Sequence, residues 1–134
     1  MKIKFLVIIL GFIIVSTITA QDQVSLLEMD RVKEYLTLNA DQYKTINIKV
    51  NQIKRILDED QETIAALKVR FKSGDEPGFF EKIKVKRARD SRVNKIKDLL
   101  GDIKNQLNDD QKVKFFKMTK PELKGLKKEE IFEK

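Results

Sequence analysis

Two apolar stripes of matched spacing, separated by a single cluster of turn-forming residues, constrain this chain more than anything else in it. The first stripe is Tyr43, Ile46, Val50, Ile53, Leu57, Ile64, Leu67 and Phe71, with the polar Asp60 filling one slot. Intervals of three and four residues put all of these on one face of an α-helix, a run on the order of 50 Å long at 1.5 Å per residue. The second stripe is Phe79, Ile83, Val93, Ile96, Leu100, Ile103 and Leu107, with Lys86 and Asp90 in its polar middle. Between them, Ser73-Gly74-Asp75-Glu76-Pro77-Gly78 concentrates residues that stop helices and make turns. Folding back there pairs 71 with 79, 67 with 83, 64 with 86, 60 with 90, 57 with 93, 53 with 96, 50 with 100, 46 with 103 and 43 with 107, in steady register. The spacing predicts an all-α fold built on a long antiparallel helical hairpin with short flanking helices. Gly101 weakens the second helix without ending it. Asp60 and Asp90 fall at one level of the hairpin, where Arg87, Arg89 and Arg92 are close enough to make an ionic layer. Two helices leave half of each stripe open, and Ile48, Ile56 and Val69 lie off the seam, so a partner subunit is expected to cover them.

Composition says why such slender elements are needed. The first twenty residues hold 14 hydrophobic residues and only Lys2 and Lys4 as charges; the other 114 hold 41 hydrophobic residues against 26 basic and 21 acidic ones, a net charge of +5. A chain in which charges outnumber apolar residues cannot fill a large core, and the periodicity favours amphipathic helices over disorder. Residues 1–20 combine a basic start, an apolar stretch from Phe5 to Val15 and a small residue, Ala20. They read as a secretory signal peptide cleaved before Gln21, too short in its apolar part for the ~20 residues of a membrane span. The expected organisation is a signal peptide over 1–20, a helical domain over 21–119 and a Lys/Glu-rich tail or short helix over 120–134. The expected location is the periplasm. Within the domain, Val24, Leu27, Val32, Tyr35 and Leu36 predict a first helix over 24–36.

The opening of the first long helix recurs after the second. Leu38-Asn39-Ala40-Asp41-Gln42 is matched by Leu107-Asn108-Asp109-Asp110-Gln111. Each copy supplies a seam leucine, an asparagine cap, acidic residues at the positive helix end, and a glutamine placed to reach back to the cap. The two copies resemble the paired Leu-Thr-x-x-Gln motifs, at helix starts, that define the Spy/CpxP family of bacterial periplasmic proteins. Both carry Asn where the family has Thr, and either residue caps a helix. The resemblance covers Leu36 to Phe116. It implies an all-helical, cradle-like antiparallel homodimer that acts as an ATP-independent chaperone of partly unfolded envelope proteins. The alternative it implies is an inhibitor or sensor in the envelope stress response, binding the periplasmic domain of a sensor kinase. One branch of the family binds zinc, but this chain has neither Cys nor His. Carboxylates alone prefer harder ions, so no transition metal and no cofactor are expected.

Catalysis has little footing without Cys or His, and no enzyme activity is expected. The acidic run Asp58-Glu59-Asp60-Gln61-Glu62 sits inside a helical period and lacks the glycine and spacing of a calcium loop. The basic run carries more information. From Leu67 to Lys97 there are 11 basic residues against four acidic ones, a local +7, interleaved with Val69, Phe71, Phe79, Phe80 and Val85. Export argues against nucleic acid as the partner of such a run. The candidate client-binding residues are therefore Lys68, Arg70, Lys72, Phe79, Phe80, Lys82, Lys84, Lys86, Arg87 and Arg89, where charge would attract a polypeptide and apolar side chains would hold it. The competing reading of the same run is a solvated face.

Overall fold

The computed structural model describes residues 23–123. The expected signal peptide, and the tail beyond Leu123, lie outside the described residues. Among the described residues four α-helices follow in order: α1, Met29–Leu36; α2, Ala40–Lys72; α3, Phe79–Asn105; and α4, Asp109–Lys117. The fold is all-α, and its only extended pairing among the described residues is an isolated parallel bridge between Ser25 and Thr119.

The first helix begins at Met29 rather than at Val24. Residues 24–28 are drawn off the helical path by pairing with the end of the chain, Leu26 N–H donating to Thr119 O at 2.9 Å and Thr119 N–H to Val24 O at 2.9 Å. That route points Leu26 inward, fully buried, and leaves Leu27 at the margin. α1 closes at Thr37, whose φ of 53° is left-handed, a conformation that costs a β-branched residue energy.

α2 runs to Lys72 and α3 through Gly101 to Asn105, with the turn at 73–78 between them. Ion pairs join the two helices at three levels: Lys49 to Asp102 at 3.6 Å, Asp60 to Arg92 at 3.2 Å, and Arg70 to Glu81 at 3.2 Å. Ile46, Val50 and Ile53 of α2 are buried with Ile96, Leu99 and Ile103 of α3 in one core. Leu99 is buried in this core, and Leu100, expected on the seam, is partly buried against it. The same core gathers Val24, Leu26, Met29, Val32 and Leu36 with Leu107, Phe115 and Met118, so α1 and α4 pack around one end of the α2/α3 arm. Beyond Ile53 the arm changes character: between residues 54 and 95 only Asp60 and Pro77 are buried.

Packing does not stop at Thr119. Leu123 lies against the core, and Lys120 Nζ donates to the carbonyls of Phe115, Phe116 and Met118 at 2.8 to 3.2 Å. A cation there satisfies carbonyls that the end of α4 leaves without intrahelical partners. Burial holds the Lys120 ammonium below its usual pKa.

Candidate functional site

The two repeated helix starts come together at the core end of the arm. Asn39 Oδ1 accepts from Gln42 N–H at 2.8 Å while Gln42 Oε1 accepts from Asn39 N–H at 3.1 Å. Asn108 and Gln111 repeat this, at 2.9 and 3.0 Å. The glutamine amides then bond to each other, Gln42 Nε2 to Gln111 Oε1 at 2.9 Å and Gln111 Nε2 to Gln42 Oε1 at 3.2 Å. Their remaining donors reach backbone: Gln42 to Gln106 O at 2.9 Å, and Gln111 to Leu36 O at 3.0 Å, beside the strained Thr37. Gln111 is buried with every polar atom of its amide used, and Leu38 and Leu107 are buried beside the two caps. These motif residues therefore form a clasp tying α1, α2, α3 and α4 at one point. Both glutamine amides are fully used within it.

The other sequence candidates lie along the outer half of the arm and divide by partner. Arg70 spans the turn, its Nε 3.0 Å from Asp75 and its Nη2 3.2 Å from Glu81. That contact raises the Arg70 pKa and holds the Glu81 carboxyl below the usual carboxylate range. Lys82 pairs with Glu76 at 2.9 Å, and Lys86 with Asp90 at 2.7 Å. Lys68, Lys72, Lys84 and Arg87 are exposed and have no ion-pair partner among the described residues. Phe79 and Phe80 are 60% and 79% exposed, their rings 5.6 Å apart and edge to face.

The ionic layer forms around one aspartate rather than two. Asp60 is 5% exposed, with Arg92 at 3.2 Å and Arg89 at 3.7 Å, and Arg92 also donates to Thr63 Oγ1. Asp90 does not meet Asp60, because its carboxylate turns along its own helix to Lys86. Arg89 Nε is buried beside Asp60 without a hydrogen bond, so most of this side chain is turned to the layer rather than to solvent. On the outer face of α3 an open groove is lined by Arg87, Asp90, Ser91, Asn94, Lys95 and Asp98, charges of both signs on a single helix.

Sequence reasoning left Val69 and Phe71 out of the site, although both are exposed beside Lys68 and Lys72. It also missed Phe116, exposed on α4 while its neighbour Phe115 is buried. The doublet Phe115-Phe116 held that signal, since adjacent helix positions diverge by about 100° and both cannot face one core. Among the described residues, no three carboxylates come together to hold a metal ion, and no helix is long and apolar enough to cross a membrane. Comparison of the chain with known protein families, curated proteins and solved structures gives no match.

Proposed function

We propose that this protein is a periplasmic, non-catalytic, ATP-independent chaperone-like protein that binds partly unfolded polypeptides along the outer half of the arm. The observation that carries this reading is the apolar stripe left uncovered there. Leu57, Ile64, Leu67, Ile83 and Val93 are only half-buried, and Val69, Phe71, Phe79 and Phe80 are exposed next to Lys68, Lys72, Lys84 and Arg87. Clustered apolar surface rimmed by unneutralised charge is a binding surface in soluble proteins. In this reading the arm is an antiparallel hairpin, and two chains form a cradle-like homodimer of the Spy/CpxP kind. The paired capping boxes support that kinship.

The test is whether the purified protein suppresses aggregation of an unrelated denatured protein. Suppression that weakens with salt, and with Lys72→Glu and Lys84→Glu, is the expected outcome. No suppression at any ratio would remove the chaperone reading and leave binding to a sensor-kinase domain as its successor. Cysteines engineered at positions 53 and 96 are expected to crosslink within one chain; crosslinking only between chains would make the seam intermolecular.

A further inference from the structure

Among the described residues at the turn end of the arm, all three acidic side chains are paired, while three of the five basic ones are not. Asp75 and Glu81 are both taken by Arg70, and Glu76 is taken by Lys82. Lys68, Lys72 and Lys84 remain, exposed and unpaired among the described residues, within two turns of Val69, Phe79 and Phe80. α1 and α4 pack at the opposite end, on the far side of a helix about 50 Å long. The turn end is therefore a convex tip with two aromatic rings at its crown and cations around it. An extended polypeptide can lie along the half-covered stripe of the arm, but the tip at its end offers nothing concave to enclose one. A membrane interface is different: convex structures enter it, aromatic rings favour its headgroup level, and lysines rest on anionic headgroups.

We propose that this tip docks onto an anionic lipid bilayer, with Phe79 and Phe80 entering the interfacial zone and Lys68, Lys72 and Lys84 meeting headgroup phosphates. The docking shares these residues with the proposed polypeptide surface but does not require that a polypeptide bind there. It would hold the arm end-on to a membrane, with the clasp and core farthest from the lipid.

The chain contains no tryptophan, so one introduced residue reports one place. In the full chain, Phe80→Trp marks the tip and Phe116→Trp marks the opposite end, both at exposed positions. With vesicles of equal parts phosphatidylglycerol and phosphatidylcholine, emission from Phe80→Trp is expected to shift to the blue and that from Phe116→Trp to stay put. Residues 1–20 are common to both proteins. Vesicles of phosphatidylcholine alone should shift neither. In the Phe80→Trp background, each of Lys72→Glu and Lys84→Glu should weaken partitioning at least about fivefold, and Phe79→Ser roughly tenfold. Melting temperatures near the parent's tie those losses to docking; should a variant melt low, the emission shift of Phe80→Trp itself decides. The proposal is overturned if that emission does not move with anionic vesicles, if it moves equally with neutral ones, or if position 116 moves as much. It is also overturned if an acidic, apolar-rich peptide shifts position 80 while vesicles do not. No client is present in the vesicle assay, so failure here and failure in the aggregation assay are separate results.

Discussion

The two halves of the α2/α3 arm are made of similar helix and held together in different ways. In the half nearest α1 and α4, Ile46, Val50, Ile53 and Ile103 are fully buried, and the glutamine clasp closes the end. In the outer half the stripe continues at the same spacing, yet its side chains are half-covered and the helices are joined by Asp60 with Arg89 and Arg92 and by Arg70 with Glu81. The difference teaches that apolar spacing alone does not bury a seam. A helix pair has two sides, and only where α1 and α4 supply further walls does the stripe leave water.

Substitutions sharpen this contrast. The largest effect is expected for Ile53→Ala, about 4 kcal/mol, because a fully buried side chain leaves a cavity; Leu67→Ala in the outer half should cost about 1 kcal/mol. Denaturant unfolding of the two variants tests the ratio, and equal costs would break the comparison. Next comes Asp60→Ala, about 3 kcal/mol, since Arg89 and Arg92 would be left mostly buried without an anion. Asp90→Ala should fall within about 0.5 kcal/mol of the parent, its pair with Lys86 being open to solvent. Gln111→Ala is expected to cost about 2 kcal/mol, because it strands the carbonyl of Leu36, the amide of Asn108 and part of Gln42. Hydrogen exchange should show the loss at the start of α4 first.

The smallest effect is one of pH. Arg70 holds Glu81 ionised below the usual carboxylate value of 4.5. A carboxyl with a lowered folded pKa contributes stability that is complete above its unfolded value and fades as pH falls through its folded one. The turn should therefore loosen only on acidification below about 4.5, and Glu81→Gln should flatten that part of the melting curve. Both groups are solvated, so the change in melting temperature should be the least of the series. A change as large as that of Asp60→Ala would mean that the outer half depends on its turn.

Much of the molecule was legible before its structure was described. The all-α class, the ends of α2 and the turn at 73–78 follow from features within a few residues of one another: an Asn cap, a Gln three positions on, a three-four apolar period, and a Gly/Pro cluster. The start of α1 was not legible, because Val24 to Glu28 obeys Thr119, more than ninety positions away. Nor was the deeper burial of Leu99 than of Leu100, since adjacent apolar residues differ by about 100° around the axis and the surrounding helices select between them.

The candidate site divides in the same way. Its basic run, its aromatic doublet and its paired caps are properties of the chain, present in the order of residues. Which cations stay available was decided largely in three dimensions: Arg70 closes on Glu81 and Arg89 on Asp60 of the facing helix, while Lys68, Lys72, Lys84 and Arg87 stay exposed. Helix period and capping are local, so sequence determines them. The partner of a long charged side chain depends on how two helices are rotated and staggered against each other, and that is set by the buried seam at the far end of the arm.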